Sequence, residues 1–492
     1  MTNPSPTPEI LDLLVIGGGV NGAGVARDAA GRGLSVALLE MGDLASGTSS
    51  ASTKLVHGGL RYLEFYEFAL VRKALAEREV ILRAAPHISR PQPFLLPLEP
   101  GIRAAWKIRA GLFLYDHLAR RREVPGSSAV NLRTDAAGPA LRRELSQAFR
   151  FWDGWIDDAR LVVLNVRDAA ARGAAICPRE AATSARRTDF GWEVSTSRGR
   201  TLAARQLLNC AGPWAEKVAR ELMGVADAPR LSLVQGGHIV TRRINRTADA
   251  WMLQQPDGRI VFVIPWEGEF SLIGTTETPV AEPHATQLTA DEENYLLEAV
   301  NRSLARPLTP ADILHRFAGI RPLVLEEGKG ARETTRDWRL VPHAGAAAMT
   351  VVGGKITTYR LLAEAVLAKL FPKTRRWTHD VPLPGGDIPR GAATAQQGFA
   401  RWLADTKARH PLYDPAIIDR MARLYGTDTE PLLDNGLGQN LGGIFEAELQ
   451  HMQDKEWAQT AEDALWRRSK LGLHLSTDAK ARVATFFGGR ER

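Results

Sequence analysis

Only two cysteines, Cys177 and Cys210, occur in 492 residues. That excludes a disulfide framework, and neither lies in a Cys/His cluster of metal-ligand spacing, so each reads as core filling and no metal is expected. No apolar run approaches the ~20 residues that a helix needs to cross a bilayer. The first residues, Met1 to Pro8, are rich in proline but lack the basic region and apolar stretch of a secretory signal. They are read as part of a disordered lead over residues 1–11, on a chain expected to stay in the cytoplasm. No internal repeat stands out. Strand faces alternating aromatic and basic residues, as single-strand readers use, are also missing, so nucleic acid is not an expected partner.

What is present starts with bulk. A hydrophobic content of 44% over this length can build a large core in two or three domains. A formal net charge of +7 calls for an anionic partner, which could be nucleic acid, a phosphorylated substrate or an acidic membrane surface, and charge alone does not choose among them.

The most informative segment is residues 12–40. An apolar run, Leu13-Leu14-Val15-Ile16, leads into Gly17-Gly18-Gly19-Val20-Asn21-Gly22, then a helical stretch carrying Ala23, Ala26 and Ala30, then Val36-Ala37-Leu38-Leu39-Glu40. This is strand, glycine turn, helix, strand and acid, the arrangement that holds a dinucleotide. Gly17 permits the tight turn, Gly19 lets backbone approach a pyrophosphate and Gly22 lets the helix pack on the strand. The helix N-terminus offers N–H groups to the anion, and Glu40 can accept from a ribose diol. Soon after, Thr48-Ser49-Ser50 and Ser52-Thr53-Lys54 supply hydroxyls and N–H groups suited to the pyrophosphate and the far ring system. Two later segments, Leu207 to Trp214 with Ala211 and Gly212, and Met349 to Lys355 with Gly353 and Gly354, follow apolar runs with small residues and read as returns to the same cofactor.

Strand-like runs at Leu233 to Val240, Ile260 to Ile264 and Phe270 to Gly274 point to an antiparallel sheet inserted in the nucleotide-binding fold, mainly within residues 230–320. The cofactor domain over 12–380 is therefore discontinuous. Residues 381–391, VPLPGGDIPRG, read as a linker, and 392–492 as a helical domain with amphipathic stretches at Phe399 to Lys407 and Glu462 to Leu471.

Three segments together, Ile16 to Gly33 (IGGGVNGAGVARDAAGRG), Thr48 to Leu63 (TSSASTKLVHGGLRYL) and Gly353 to Ala363 (GGKITTYRLLA), resemble the FAD-dependent, respiratory glycerol-3-phosphate dehydrogenase family. Ala74 to Pro86, Ile260 to Thr276, Gly319 to Leu323 and Ala461 to Gly472 carry the likeness over almost the whole chain. It implies an α/β fold: a Rossmann-like FAD domain with an inserted substrate sheet, as in glycine and D-amino-acid oxidases, plus the C-terminal helices. It implies oxidation of sn-glycerol 3-phosphate to dihydroxyacetone phosphate, with electrons passed to ubiquinone or menaquinone at the inner face of the cell membrane, and leaves a homodimer open. Independently, no second G-x-G-x-x-G follows residue 22, which argues for FAD without a nicotinamide partner.

Oxidising a secondary alcohol requires hydride transfer to flavin N5 and loss of the hydroxyl proton to a base. The resemblance assigns Arg61 and Arg336 to the phosphate, Arg321 to the reacting oxygen, Tyr62 and Thr275 to the pocket wall, and Lys355 to the space between flavin and substrate. For the base, His238 in QGGH and His57 in VHGG are the alternatives, with Arg321 able to assist by stabilising the alkoxide. The stretch Arg103 to Arg122 mixes Trp106, Ile108, Leu112, Phe113, Leu114 and Tyr115 with six cations against one acid. That suits an interfacial helix on anionic lipid or a partly buried helix with a basic end, and the resemblance favours the membrane surface. Two rival functions stay open here: an amino-acid or sarcosine-type FAD oxidase, and a non-catalytic basic scaffold.

Overall fold

The computed structural model describes residues 10–99, 104–283, 286–324, 337–389 and 391–488. Its first layer is built on β1 (Ile10–Ile16), α1 (Val20–Gly31) and β2 (Val36–Glu40). Leu13, Leu14 and Val15 are all fully buried, because helices cover one face of the parallel strands and a hairpin the other, and this is why β1 reads as an unbroken apolar run. Along the sheet the strands follow the order 339–343, 348–352, 201–209, 10–16, 36–40, 175–178, with the hairpin 182–196 attached to 201–204. α1 packs between the helices Asp158–Ala171 and Tyr359–Leu370. One sheet thus gathers strands from residue 10 to residue 352. The expected lead is shorter than 1–11: Ile10 and Leu11 pair with Ala203 and Ala204 as the first rungs of β1, and residues 1–9 lie outside the described set.

The second sheet has ten strands. Its antiparallel centre holds Leu231–Arg242, Ile260–Trp266 and Phe270–Gly274, which contain the three strand-like runs of the sequence, together with Ile313–Val324, which the sequence reading did not name. It also recruits the earlier strands Leu55–Val56, Ser89–Pro97, Ser128–Asn131 and Gln147–Ile156, outside the expected range. The longest ladder joins Leu231–Arg242 to Ile313–Val324 with Val234 opposite Arg321, Gly236 opposite Gly319 and His238 opposite Phe317. Directly opposed residues share a face, so these six point the same way. That face meets the first layer: a Cβ on Gly319 would lie 2.8 Å from Ala51 Cβ and 3.7 Å from Thr48 Cα.

Past residue 391 the described chain is helical, with a core of its own around Ile418, Met421, Tyr425, Leu449, Met452 and Val483. The linker is fastened rather than loose, since Leu383 N–H donates to Ala84 O at 2.9 Å. Among the described residues no helix is long and apolar enough to cross a membrane. The helix Ala105–His117 buries only Leu112 and Tyr115 and exposes Phe113, Leu114 and 70% of Trp106. Beside it the turn Leu60–Phe65 leaves Phe65 and Tyr66 exposed as well.

Candidate active site

A cavity of about 710 Å³ opens at the C-terminal end of β1, where a doubly wound sheet places its ligand. Gly17, Gly19, Asn21 and Glu40 form one end, Thr48, Ser49, Ala211 and Gly212 the wall, and Pro322, Gly353 and Gly354 also line it. The backbone explains the glycines. Gly17 sits at φ +111°, and a Cβ there would fall 2.4 Å from Cys210 O. A Cβ on Gly22 would stand 1.9 Å from Gly17 O, so the helix can approach its own turn only without a side chain. Gly19 has ordinary φ and a single near neighbour, Ser49 Oγ at 3.1 Å; its backbone borders open cavity, and as the residue that begins the helix it has no side chain of its own to cap it.

Glu40 accepts from Gly18 N–H and Gly42 N–H, both at 2.7 Å. Burial raises its pKa, and those two N–H groups partly oppose the shift. Ser49 Oγ accepts from Val20 N–H at 3.0 Å, so one N–H at the helix start goes to Ser49 rather than to a ligand. Thr48 donates its hydroxyl to Ile320 O, tying the cavity wall to the strand that carries Arg321. Asn21, which the sequence reading passed over inside the glycine motif, donates from Nδ2 to Gly353 O at 3.1 Å. Its buried Oδ1 has no hydrogen-bond partner among the described residues. Glycine turn, ribose-type acceptor, orphaned acceptor and left-handed Gly353 and Gly354 fit FAD, whose two halves need close backbone approach at separated points.

Besides Gly22, which packs the helix on its turn, three assigned cofactor residues, Ser50, Lys54 and Lys355, do not line the cavity. Lys54 is buried away from the cavity, its Nζ 2.8 Å from Asp158 Oδ1 and 3.1 Å from Ser50 O. Ser50 takes part through that carbonyl and does not line the cavity. The cause is local: Lys54 adopts φ +60° and turns its side chain inward, where burial would be prohibitive without the partner carboxylate.

Arg321, Thr275 and His238 come together on the second sheet. Arg321 Nη2 donates to Thr275 Oγ1 at 2.8 Å, and a Cβ on Gly236 would meet both groups, so that glycine makes the room. His238 is fully buried, stacked on Phe317 at 4.9 Å, with Nε2 3.0 Å from Thr53 Oγ1 and no partner on Nδ1 among the described residues. Burial, then the nearby positive charges of Arg321 and Lys54, lower its pKa well below the usual histidine range, which keeps the imidazole neutral. A second group pairs Lys355 with Tyr62, the ammonium 3.8 Å from the ring centroid. His57 joins this group by its backbone, its N–H donating to Thr357 Oγ1 at 3.1 Å. Arg61 is half-buried on the same 3₁₀ turn as Tyr62. Arg336 lies outside the described residues. Besides Asn21, the sequence reading missed Thr53 and Phe317; the first stood in a quoted motif, whereas only strand register reveals the second.

Comparison with known proteins fits this geometry. Residues 12–360 match the model of the FAD dependent oxidoreductase family, and residues 376–489 that of the C-terminal domain of alpha-glycerophosphate oxidase. The chain is 46% identical to a D-erythritol 1-phosphate dehydrogenase of Brucella abortus, over 98% of both chains. It is 43% identical to the aerobic glycerol-3-phosphate dehydrogenase of Escherichia coli, over 97% of both. Among solved structures it is similar to a glycerol-3-phosphate dehydrogenase from Bacillus halodurans complexed with FAD, with a TM-score of 0.78 at 28% identity, over 98% of this chain and 92% of that one. With its cofactor cavity, its substrate sheet and both family models in register, the chain is an FAD-dependent oxidoreductase that belongs to the glycerol-3-phosphate dehydrogenase family.

Proposed function

We infer that the protein oxidises sn-glycerol 3-phosphate to dihydroxyacetone phosphate and delivers the electrons to a membrane quinone. The observation that carries this reading is the Arg321–Thr275 pair on the sheet face that closes over the cofactor turn. A guanidinium fixed by a hydroxyl is a preorganised partner for a developing alkoxide. When bound, FAD supplies the hydride acceptor at N5. His238, neutral and packed against Gly274 beside Thr275, is the base that takes the hydroxyl proton on Nδ1, which has no partner among the described residues, with His57 the alternative. Arg61 and Arg336 hold the phosphate, Tyr62 and Thr275 wall the pocket, and Lys355 is held over Tyr62 at the substrate end. The curated relatives at 43–46% identity support a polyol phosphate as substrate.

The exposed Trp106, Phe113 and Leu114, with Phe65 and Tyr66 beside them, support peripheral attachment to an anionic membrane on its cytoplasmic face. A second substrate reading, D-erythritol 1-phosphate, is favoured by the identity to the Brucella enzyme. Anaerobic flavin bleaching decides between them. Glycerol 3-phosphate is expected to bleach the protein, and D-alanine and sarcosine are not. A larger kcat/KM with D-erythritol 1-phosphate assigns the second reading, and bleaching by an amino acid alone rejects both.

A further inference from the structure

Among the described residues, the stretch Ala461–Gly472, AEDALWRRSKLG, lines no part of the cofactor cavity. Its residues Asp463–Arg468 form one turn of π-helix, closed where Ser469 N–H donates to Ala464 O at 3.0 Å. This turn packs on the helix Asp158–Ala171 and reaches the loop after β2 through its arginines. Arg468 is fully buried and grips both carboxylate oxygens of Asp43, Nη2 lying 2.7 Å from Oδ1. Arg467 donates to Oδ2 of the same carboxylate through Nε. Asp463 completes the network by accepting from Arg467 and, at 2.8 Å, from Arg179 Nη2.

Asp43 belongs to the loop that follows Glu40. Glu40, Met41, Gly42, Ala45, Ser46 and Gly47 line the cofactor cavity. The loop needs holding, since Ala45 takes φ +62°, a conformation that costs an L residue free energy, while its N–H donates to Gly18 O in the glycine turn. Arg179 serves the same loop from its other side, its backbone N–H donating to Gly42 O at 2.8 Å. Elsewhere the C-terminal region docks by different pairs. Lys470 with Asp157, and Arg160 with Glu456, join it at the helix Asp158–Ala171 rather than at the loop.

We propose that Arg467 and Arg468 are positioning residues for FAD: through Asp43 they fix the loop 41–47 in the shape that walls the Glu40 end of the cavity. The helical domain then acts on cofactor affinity without touching the substrate. FAD binding is measured with no substrate present, so this assignment stands or falls separately from the substrate reading. Full-length Asp43→Asn, Arg467→Gln, Arg467→Lys and Lys470→Gln are compared by flavin fluorescence, for the FAD dissociation constant and the release rate. Asp43→Asn and Arg467→Gln are expected to weaken FAD at least tenfold and to speed its release, with Arg467→Lys recovering part of the loss. Lys470→Gln, which loosens the same junction away from the loop, is expected to stay within twofold of the parent. Unchanged affinity in both Asp43→Asn and Arg467→Gln overturns the proposal. So does an equal loss in Lys470→Gln, which would reduce the effect to domain docking. Because Asp43 is buried and its variant can fail to fold, Arg467→Gln, at the partly exposed edge of the network, decides the matter alone if needed.

Discussion

Replacing Gly17, Gly19 and Gly22 separately by alanine should divide one motif into two kinds of damage. In Gly22→Ala the new methyl would lie 1.9 Å from Gly17 O, more than an ångström inside contact, and the offending atom is backbone that no rotamer change can move. Overpacking of that kind costs about 1–3 kcal/mol, and this site belongs at the upper end. In Gly17→Ala a similar clash at 2.4 Å adds to the strain of φ +111°, itself about 1–3 kcal/mol, so the two together reach about 2–6 kcal/mol. Gly19→Ala meets only the movable Ser49 hydroxyl at 3.1 Å with φ −79°, and the apoprotein should lose no more than about 0.5 kcal/mol. Its methyl nevertheless stands where backbone must approach the cofactor. Loss of one close contact, about 1.5–3 kcal/mol, corresponds to a ten- to hundredfold weaker FAD complex. The assay is urea unfolding of each apoprotein beside FAD titration of the folded form. Gly17→Ala and Gly22→Ala should unfold early, whereas Gly19→Ala should unfold with the parent and bind FAD poorly. A Gly19→Ala protein that holds FAD normally, or one that unfolds as early as Gly22→Ala, refutes the assignment of the three positions.

Arg321→Ala should keep its flavin yet lose about ten- to hundredfold in kcat/KM, because a charge-assisted bond to substrate oxygen contributes about 1.5–3 kcal/mol; steady-state kinetics at saturating FAD checks it. Lys54→Met strands a fully buried Asp158 carboxylate and should cost about 3–5 kcal/mol, with much of that recovered when Asp158→Leu is added, as thermal unfolding of the pair of variants would reveal. His87 is buried with neither ring nitrogen hydrogen-bonded among the described residues, and burial, then Arg160, Arg167 and Arg423, push its pKa down to about 3. The unfolded chain binds the proton first, so this contribution to stability is intact above pH 6.5 and is lost as the pH falls from there toward 3, amounting to about 2 kcal/mol at pH 5. His87→Leu should therefore flatten the stability profile between pH 7 and 5; an unchanged slope rejects the assignment. Serine at Trp106 and Phe113 together with glutamine at Arg120 to Arg122 should reduce vesicle binding and quinone reduction while sparing electron transfer to a soluble dye, and unchanged vesicle binding would move the anchor elsewhere.

The β1–α1–β2 unit was legible because its signals are local: apolar continuity, three constrained glycines and an acid fall within 29 residues, and each maps to one turn of backbone. The strand Ser89–Pro97 was not, since Pro91, Pro93 and Pro97 read as loop and its place in the sheet comes from pairing with Gln147–Ile156, far along the chain. Lys54 misled for a related reason. It follows a run of hydroxyl residues that does serve the cavity in part, but its direction is decided by φ +60° and by Asp158, 104 residues away. The Asp43 network was still less accessible: arginines at 467 and 468 look like a solvated helix face until the fold brings a carboxylate from beside the glycine motif against them.

The proposed base illustrates how much depends on that long-range placement. His238 alone in QGGH is a neutral titratable group of unknown surroundings, and only the register with Phe317 and the approach of Lys54 and Arg321 define its electrostatics. Two cations beside an imidazole disfavour its protonation, which at first sight makes a poor proton acceptor. A phosphorylated substrate offsets the effect of those two charges, though not that of burial, the larger cause, because a phosphate monoester brings about −1.5 to −2 of charge toward the same low-dielectric pocket. Neutralising the field of Arg321 and its neighbours raises the proton affinity of His238 just when a hydroxyl stands ready to lose its proton. An amino-acid substrate, whose carboxylate carries a single negative charge and whose amine is cationic in water, would offset that field far less. Arg321 thus acts on both the developing alkoxide and the proposed base, and a phosphate held beside it by Arg61 and Arg336 favours a polyol phosphate over the amino acids that other enzymes of this fold oxidise.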